Sequence, residues 1–150
     1  MFKELESAQV GATESLATAL DHLAYDDDGL VPAIAQQFDS GEVLTLAWMN
    51  RPAIEETLAT GRVCYWSRSR QTLWRKGESS GHVQRLKELR IDCDGDALLL
   101  LLDQTGPACH TGRTSCFYVQ VEGNRVKVIS EQLVDPSEVY GDEAPKEPEV

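Results

Sequence analysis

The chain has 150 residues, 41% hydrophobic and 26% charged, with a formal net charge of −11. That length suits one domain, able to bury roughly 70% of the surface its unfolded form exposes without help from disulfides. The acidic balance excludes broad binding to nucleic-acid polymers, and the longest apolar run, Ala97 to Leu102, falls far short of the ~20 residues that span a bilayer.

In chain order, Met1-Phe2-Lys3-Glu4-Leu5-Glu6 places acids where an export signal needs a basic and then an apolar run, so a cytoplasmic protein is expected. In that compartment four cysteines are metal ligands or buried thiols before they are disulfide partners. Leu16, Leu20 and Leu23 recur at helical spacing, with Leu5 upstream, and predict one amphipathic helix in an N-terminal extension, residues 1–24. Asp26-Asp27-Asp28-Gly29 reads as an acidic turn that ends it. Val31 to Phe38 and Glu42 to Met49 predict a hairpin about Asp39-Ser40-Gly41. A short helix follows, with Asn50 as N-cap, Pro52 in the first turn, Glu55 and Glu56 near its positive end, and Gly61 as its stop.

Val63 to Ser67 is a strand, and Cys64 within it a buried thiol. Past the polar stretch Gly77 to Gly81, Val83 to Ile91 fits helix or strand, and Ala97 to Leu102 is a buried strand. Ser115 to Val121 and Arg125 to Ile129 form a second hairpin across Glu122-Gly123-Asn124. From Asp135 on, three prolines and six acids against one lysine make residues 135–150 a disordered acidic tail. The fold class expected is therefore α+β, mostly antiparallel sheet with a few short helices, in a single domain over residues 25–134.

Charge is uneven. From Arg62 to Arg90 there are eight basic residues and two acidic ones, so that segment is +6 and the remainder −17. A local basic region in an acidic chain suits a small phosphorylated ligand, or else a solvated strand face. Within it, Trp74-Arg75-Lys76-Gly77-Glu78-Ser79-Ser80-Gly81-His82 joins cations, hydroxyls and two glycines, a composition that can wrap a phosphate or simply connect two strands.

Two kinds of metal ligand crowd the 25 residues from Asp92 to Cys116. Cys93, Cys109 and Cys116 lack paired C-x-x-C knuckles, and three thiolates without a fourth ligand suit an open, catalytic zinc site; three unrelated core cysteines are the alternative. Asp92, Asp94 and Asp96 alternate, so an extended chain would project the three carboxylates to one side and Cys93 to the other. Such a row invites a hard cation such as Mg²⁺, or is a solvated acidic turn. An EF-hand is rejected, because its sixth and twelfth positions hold Ala97 and Asp103. His110 is a fourth ligand, a general acid or base, or a surface histidine. Thr111-Gly112-Arg113-Thr114-Ser115 is an anion pocket or a turn.

Five segments in order carry a family resemblance: Leu46-Ala47-Trp48-Met49-Asn50, Tyr65-Trp66-Ser67-Arg68-Ser69-Arg70, Leu73 to Gln84, Asp92-Cys93-Asp94-Gly95-Asp96, and Cys109 to Phe117. Together they closely resemble the phosphoribosyl-AMP cyclohydrolases of histidine biosynthesis. The resemblance implies that Cys93, Cys109 and Cys116 bind Zn²⁺ and that Asp92, Asp94 and Asp96 bind Mg²⁺. It implies an intertwined homodimer whose active sites are shared, the zinc cysteines coming from both subunits. The activity implied is hydrolytic opening of the adenine C6–N1 bond of phosphoribosyl-AMP by a zinc-activated water, with His110 or His82 moving the proton. Arg68, Arg70, Trp74, Lys76, Glu78, Ser79, Ser80 and Arg113 would bind the substrate. The preceding pyrophosphatase step, fused at the C-terminus in some relatives, is expected to belong to another protein. The competing readings are a zinc nucleobase deaminase, whose H-x-E and P-C-x-x-C signature is absent, and a non-catalytic zinc-stapled binding module.

Overall fold

A computed structural model describes residues 1–140 of the chain. Its centre is a four-stranded sheet in the order β2-β1-β6-β5, built from β1 (Val31–Gln37), β2 (Val43–Met49), β5 (Gln84–Ile91) and β6 (Leu98–Gln104). β1 and β2 form the expected hairpin, paired from Val31↔Met49 to Gln36↔Val43. β5 and β6 form another, and the ambiguous segment from Val83 thereby resolves as strand. The two hairpins meet along a parallel pairing, Ala33↔Leu98 to Gln37↔Leu102. The sheet is otherwise antiparallel, and with its few short helices the fold is α+β.

The buried face explains the alternation of small and large residues. Ala33 and Ala35 of β1 lie in register with Leu98 and Leu100 of β6, and Leu44, Met49, Ile54, Val63 and Tyr65 complete the same core. Each fully buried leucine contributes about 2 kcal/mol of transfer free energy. Helix α3 (Arg51–Thr60) starts where the Asn50 side chain accepts the Ala53 N–H at 2.9 Å, and it stops at Gly61, which takes φ +75°. Glu55 and Glu56 lie beyond the first turn, so they do not serve its dipole. They pair instead with Arg51 and with Arg75.

Strand β3 (Cys64–Ser67) pairs with β4 (Thr72–Arg75), a strand the sequence reading did not anticipate. Gln71 takes φ +53° in the turn between them. β7 (Val119–Glu122) and β8 (Arg125–Val128) make the second expected hairpin, although the chain from Ser115 to Tyr118 is not strand.

The N-terminal segment differs from the single amphipathic helix expected. It holds two short helices, α1 (Phe2–Leu5) and α2 (Leu16–Asp21). Gly11 takes φ +97° between them, and Ser15 begins α2 by accepting the Thr18 N–H at 3.0 Å. Leu20 and Leu23 reach the core, so the segment is seated on the domain. α4 (Pro136–Tyr140) is a short helix whose entry is held by Asp135 Oδ1, which accepts from the Ser137 N–H and hydroxyl. Residues 141–150 of the expected acidic tail lie outside the described residues. Among the described residues no helix is long and apolar enough to cross a membrane.

Candidate active site

Where β6 ends, the chain turns through Pro107 and Ala108 to bring Cys109 beside Cys116. Backbone bonds fix both: Cys109 N–H donates to Arg113 O at 3.1 Å, and Cys116 N–H donates to Leu44 O at 2.7 Å. Ser115 anchors the same stretch to β2 through its hydroxyl, which donates to Val43 O at 2.7 Å. Gly112 makes the tight return possible. It takes φ +86°, and a Cβ there would lie 2.1 Å from Val134 O.

The two sulphurs are neighbours, and the Thr111 hydroxyl donates to Cys109 Sγ at 3.0 Å. Cys116 first, and then Thr111, lower the Cys109 thiol to about 5 against the opposing effect of its burial, while Cys109 pushes the Cys116 thiol well above the ordinary range. Thr45 contacts Cys116 from β2, and the Lys76 ammonium lies close enough to act on it electrostatically. A thiolate held beside a second thiol, with the Thr111 hydroxyl donating to the first, is a soft donor set that fits zinc. Cys64, by contrast, is a buried thiol as expected, pushed up to about 12 mainly by burial.

His82, Lys76 and His110 gather at this end. The His82 ring packs on Gly106 in the same loop, where a Cβ would approach its Cδ2 to 2.7 Å. His110 is exposed, and its charge acts on Cys109. Lys76 is buried, with its ammonium 5.5 Å from the centre of the Trp74 ring. Gly77 takes φ +82° to start the polar loop, and a Cβ there would meet Val83 N at 2.4 Å, so the loop that carries Glu78, Ser79 and Ser80 begins on an obligatory glycine.

Sequence reasoning missed the groups that stand behind these. Tyr65 donates to Gln84 Oε1 at 2.6 Å, Gln84 donates to Gln104 Oε1 at 2.8 Å, and Gln104 donates to His82 O at 2.9 Å. The burial that obliges Gln84 to find partners is created by the fold, so the sequence carries no signal for it. Thr45 is equally silent, whereas Thr111 belongs to the stretch read as an anion pocket or a turn.

The carboxylates sit at the opposite end of the sheet. The stretch from Asp92 to Asp96 is the turn between β5 and β6 rather than an extended run: Gly95 takes φ +71°, Gly95 N–H donates to Asp92 O at 3.1 Å, and Asp96 N–H donates to Asp92 Oδ1 at 2.9 Å. The expected alternation is thereby corrected. Cys93 does not face away from its neighbours, because ligand atoms of Asp92, Cys93 and Asp94 all lie within 4.8 Å of one another. The Asp92 and Asp96 carboxyls act on each other, which lowers the first and raises the second. Exposed acids packed this closely fit a hard cation.

This turn precedes the first residue of β6 whereas Cys109 follows its last, and Cys116 is hydrogen-bonded to Leu44 on the edge strand β2. No described group that includes Cys93 also includes either of them. Arg68 and Arg70 also stand apart from Lys76. They lie at the turn of the β3–β4 hairpin, with the Arg68 guanidinium 4.7 Å from the centre of the Trp48 ring, whereas Lys76 follows the opposite end. Arg113 stacks at 4.1 Å on Tyr118 and donates from Nε to Ser130 O, so Thr111 to Ser115 is a braced turn.

The family model described as Phosphoribosyl-AMP cyclohydrolase matches residues 45–118, the stretch from β2 through Cys116. The phosphoribosyl-AMP cyclohydrolase of Alcanivorax borkumensis is 67% identical over 141 residues, covering 94% of this chain and 99% of its own. The chain belongs to the phosphoribosyl-AMP cyclohydrolase family. Family relatives from Alkalilimnicola ehrlichii, 64% identical over 93% of this chain and 99% of their own, and from Hydrogenovibrio crunogenus, 60% identical over 93% and 95%, agree. The family match therefore takes in both the cysteine pair and the carboxylate turn.

Proposed function

We propose that this chain is a cytoplasmic phosphoribosyl-AMP cyclohydrolase of histidine biosynthesis, which opens the adenine ring at C6–N1. The observation that carries the reading is the Cys109–Cys116 pair beyond the end of β6, with the Thr111 hydroxyl donating to Cys109, in a chain 67% identical to a named cyclohydrolase. Overall, water adds across the bond: its oxygen joins C6, C6–N1 breaks, and N1 takes a proton.

Cys109 and Cys116 of one subunit, with Cys93 of another, would hold Zn²⁺, and Asp92, Asp94 and Asp96 would hold Mg²⁺. The chemistry zinc would supply there is a water that ionises near neutral pH. Among the described residues the one group that includes Cys93 contains neither Cys109 nor Cys116, which supports a homodimer with shared sites. The β7–β8 hairpin supports it as well: every residue of both strands is exposed, Val119, Val121, Val126 and Val128 among them.

His82 and His110 are the groups near the pair able to move a proton to the departing N1, the first braced through Gln104 and the second in open solvent. Lys76 and Trp74, with Glu78, Ser79 and Ser80 on the adjoining loop, bind the substrate at this end; Arg113 lines it from the Cys109 turn. Arg68 and Arg70 bind phosphate from the far end of their hairpin, in a site completed by the partner. The carboxylate turn would hold Mg²⁺, whose charge would help position the phosphoribosyl groups, and positioning of this kind contributes several kcal/mol to rate.

The test is direct. Zinc-loaded protein is mixed with phosphoribosyl-AMP and ring opening is followed by ultraviolet absorbance. Turnover at catalytic protein concentrations is expected. A flat trace from saturated, folded protein would return the chain to the zinc-stapled binding module.

A further inference from the structure

The carboxylate turn is not held by its own hairpin alone. The N-terminal segment folds back over it, so that Phe2, Leu5 and Ala19 wall one side of a cavity of about 330 Å³ whose other side includes Ile91, Asp92 and Cys93. The Phe2 ring occupies the space that a side chain on Gly95 would take: a Cβ there would lie 2.4 Å from Phe2 Cε2 and 2.6 Å from Cδ2. Gly95 is buried, while Asp92, Cys93, Asp94 and Asp96 around it are exposed. From the same segment, Ala24 N–H donates to Gly95 O at 2.8 Å. Leu20 and Leu23 tie that segment to the core, which gives the grip a fixed base.

Three neighbouring carboxylates repel one another and tend to open the turn that carries them. The contact that opposes this is apolar, and so it keeps its strength whatever the charge on the carboxylates. Its target is the one residue of the five with no side chain, the only one that lets a ring lie directly against the backbone.

We infer that Phe2 is a positioning residue: its ring clamps Gly95 and thereby holds the Asp92–Asp96 turn in the shape that binds a divalent cation. The inference rests on the proposed role of the carboxylates. A ring-less chain has to order the turn when the cation arrives, whereas the parent holds it ordered beforehand.

The test compares the parent, Phe2→Ala, Phe2→Leu and Asp94→Asn by two measurements, amide hydrogen exchange over residues 92–97 in metal-free protein and Mg²⁺ affinity by calorimetry. In Phe2→Ala the turn should exchange about tenfold faster and Mg²⁺ should bind about tenfold more weakly, the weight of roughly one residue's backbone freedom. Phe2→Leu keeps an apolar side chain at the contact and should recover most of both. Exchange at the parent rate in Phe2→Ala overturns the clamp, and faster exchange with unchanged Mg²⁺ affinity overturns its metal role. If the parent and Asp94→Asn bind Mg²⁺ equally, the carboxylate assignment itself has failed, and the Phe2 inference with it; that outcome is read without any Phe2 variant.

Discussion

Cys109 is a proposed zinc ligand, and the Thr111 hydroxyl stands behind it, donating to its sulphur at 3.0 Å. The loss of each should act differently. Cys109→Ser removes a ligand, and the protein should lose its zinc together with more than ~100-fold of its ring-opening rate, beyond the usual cost of losing an outer partner. Thr111→Val removes only the hydroxyl behind the ligand, and zinc affinity should fall about 10- to 100-fold with the metal still taken up at saturation. Zinc content after dialysis against a chelator series measures both. A Cys109→Ser protein that turned over at the parent rate without zinc would end the metal assignment, and unchanged affinity in Thr111→Val would end the hydroxyl's part in it.

At the scale of elements, α3 is tied to β4 by the Glu56–Arg75 pair at 2.7 Å. Arg75, and the Cys64 thiol after it, hold the Glu56 carboxyl below its ordinary value, so the folded chain favours the ionised form. The stability this adds is present above the ordinary carboxylate range and is lost as pH falls through the lowered value. The pair is half exposed, so the effect is small. Glu56→Gln should therefore lower the urea midpoint slightly near neutral pH and match the parent in strong acid; an equal gap at both would assign the loss to packing. Elements of this kind were the legible part of the sequence. Asn50 and Gly61 mark α3 because caps are local chemistry, and β1, β2 and β6 are marked as short apolar runs bounded by turn residues or acids. β4 escaped because four residues, Thr72 to Arg75, carry too short a pattern. The Asp92–Asp96 turn was misread as extended because alternation of residue types says nothing of the φ +71° that Gly95 adopts. Among the site residues, the cysteines and aspartates were visible by type, whereas Thr111, Thr45 and Gln84 act through contacts that only the fold creates.

For the whole molecule, the function proposed above draws each active site from two chains. Cys93→Ser and Cys109→Ser homodimers should each be inactive. Unfolded together and refolded with zinc, they should regain about a quarter of parent activity, since random pairing makes half the dimers mixed and completes one of two sites in each. A mixture as inactive as its components would place all three ligands in one subunit or none. The parallel seam between β1 and β6 has a consequence of another sort. Ala33 and Leu98 pair across 65 positions of chain, whereas the hairpins on either side close over short turns. Long-range pairing carries the larger loop-closure cost and is formed slowly. The two hairpins are thus the early units of folding, and their docking along the alanine–leucine seam is the slow step, so substitutions at Ala33 or Ala35 should show themselves in the refolding rate.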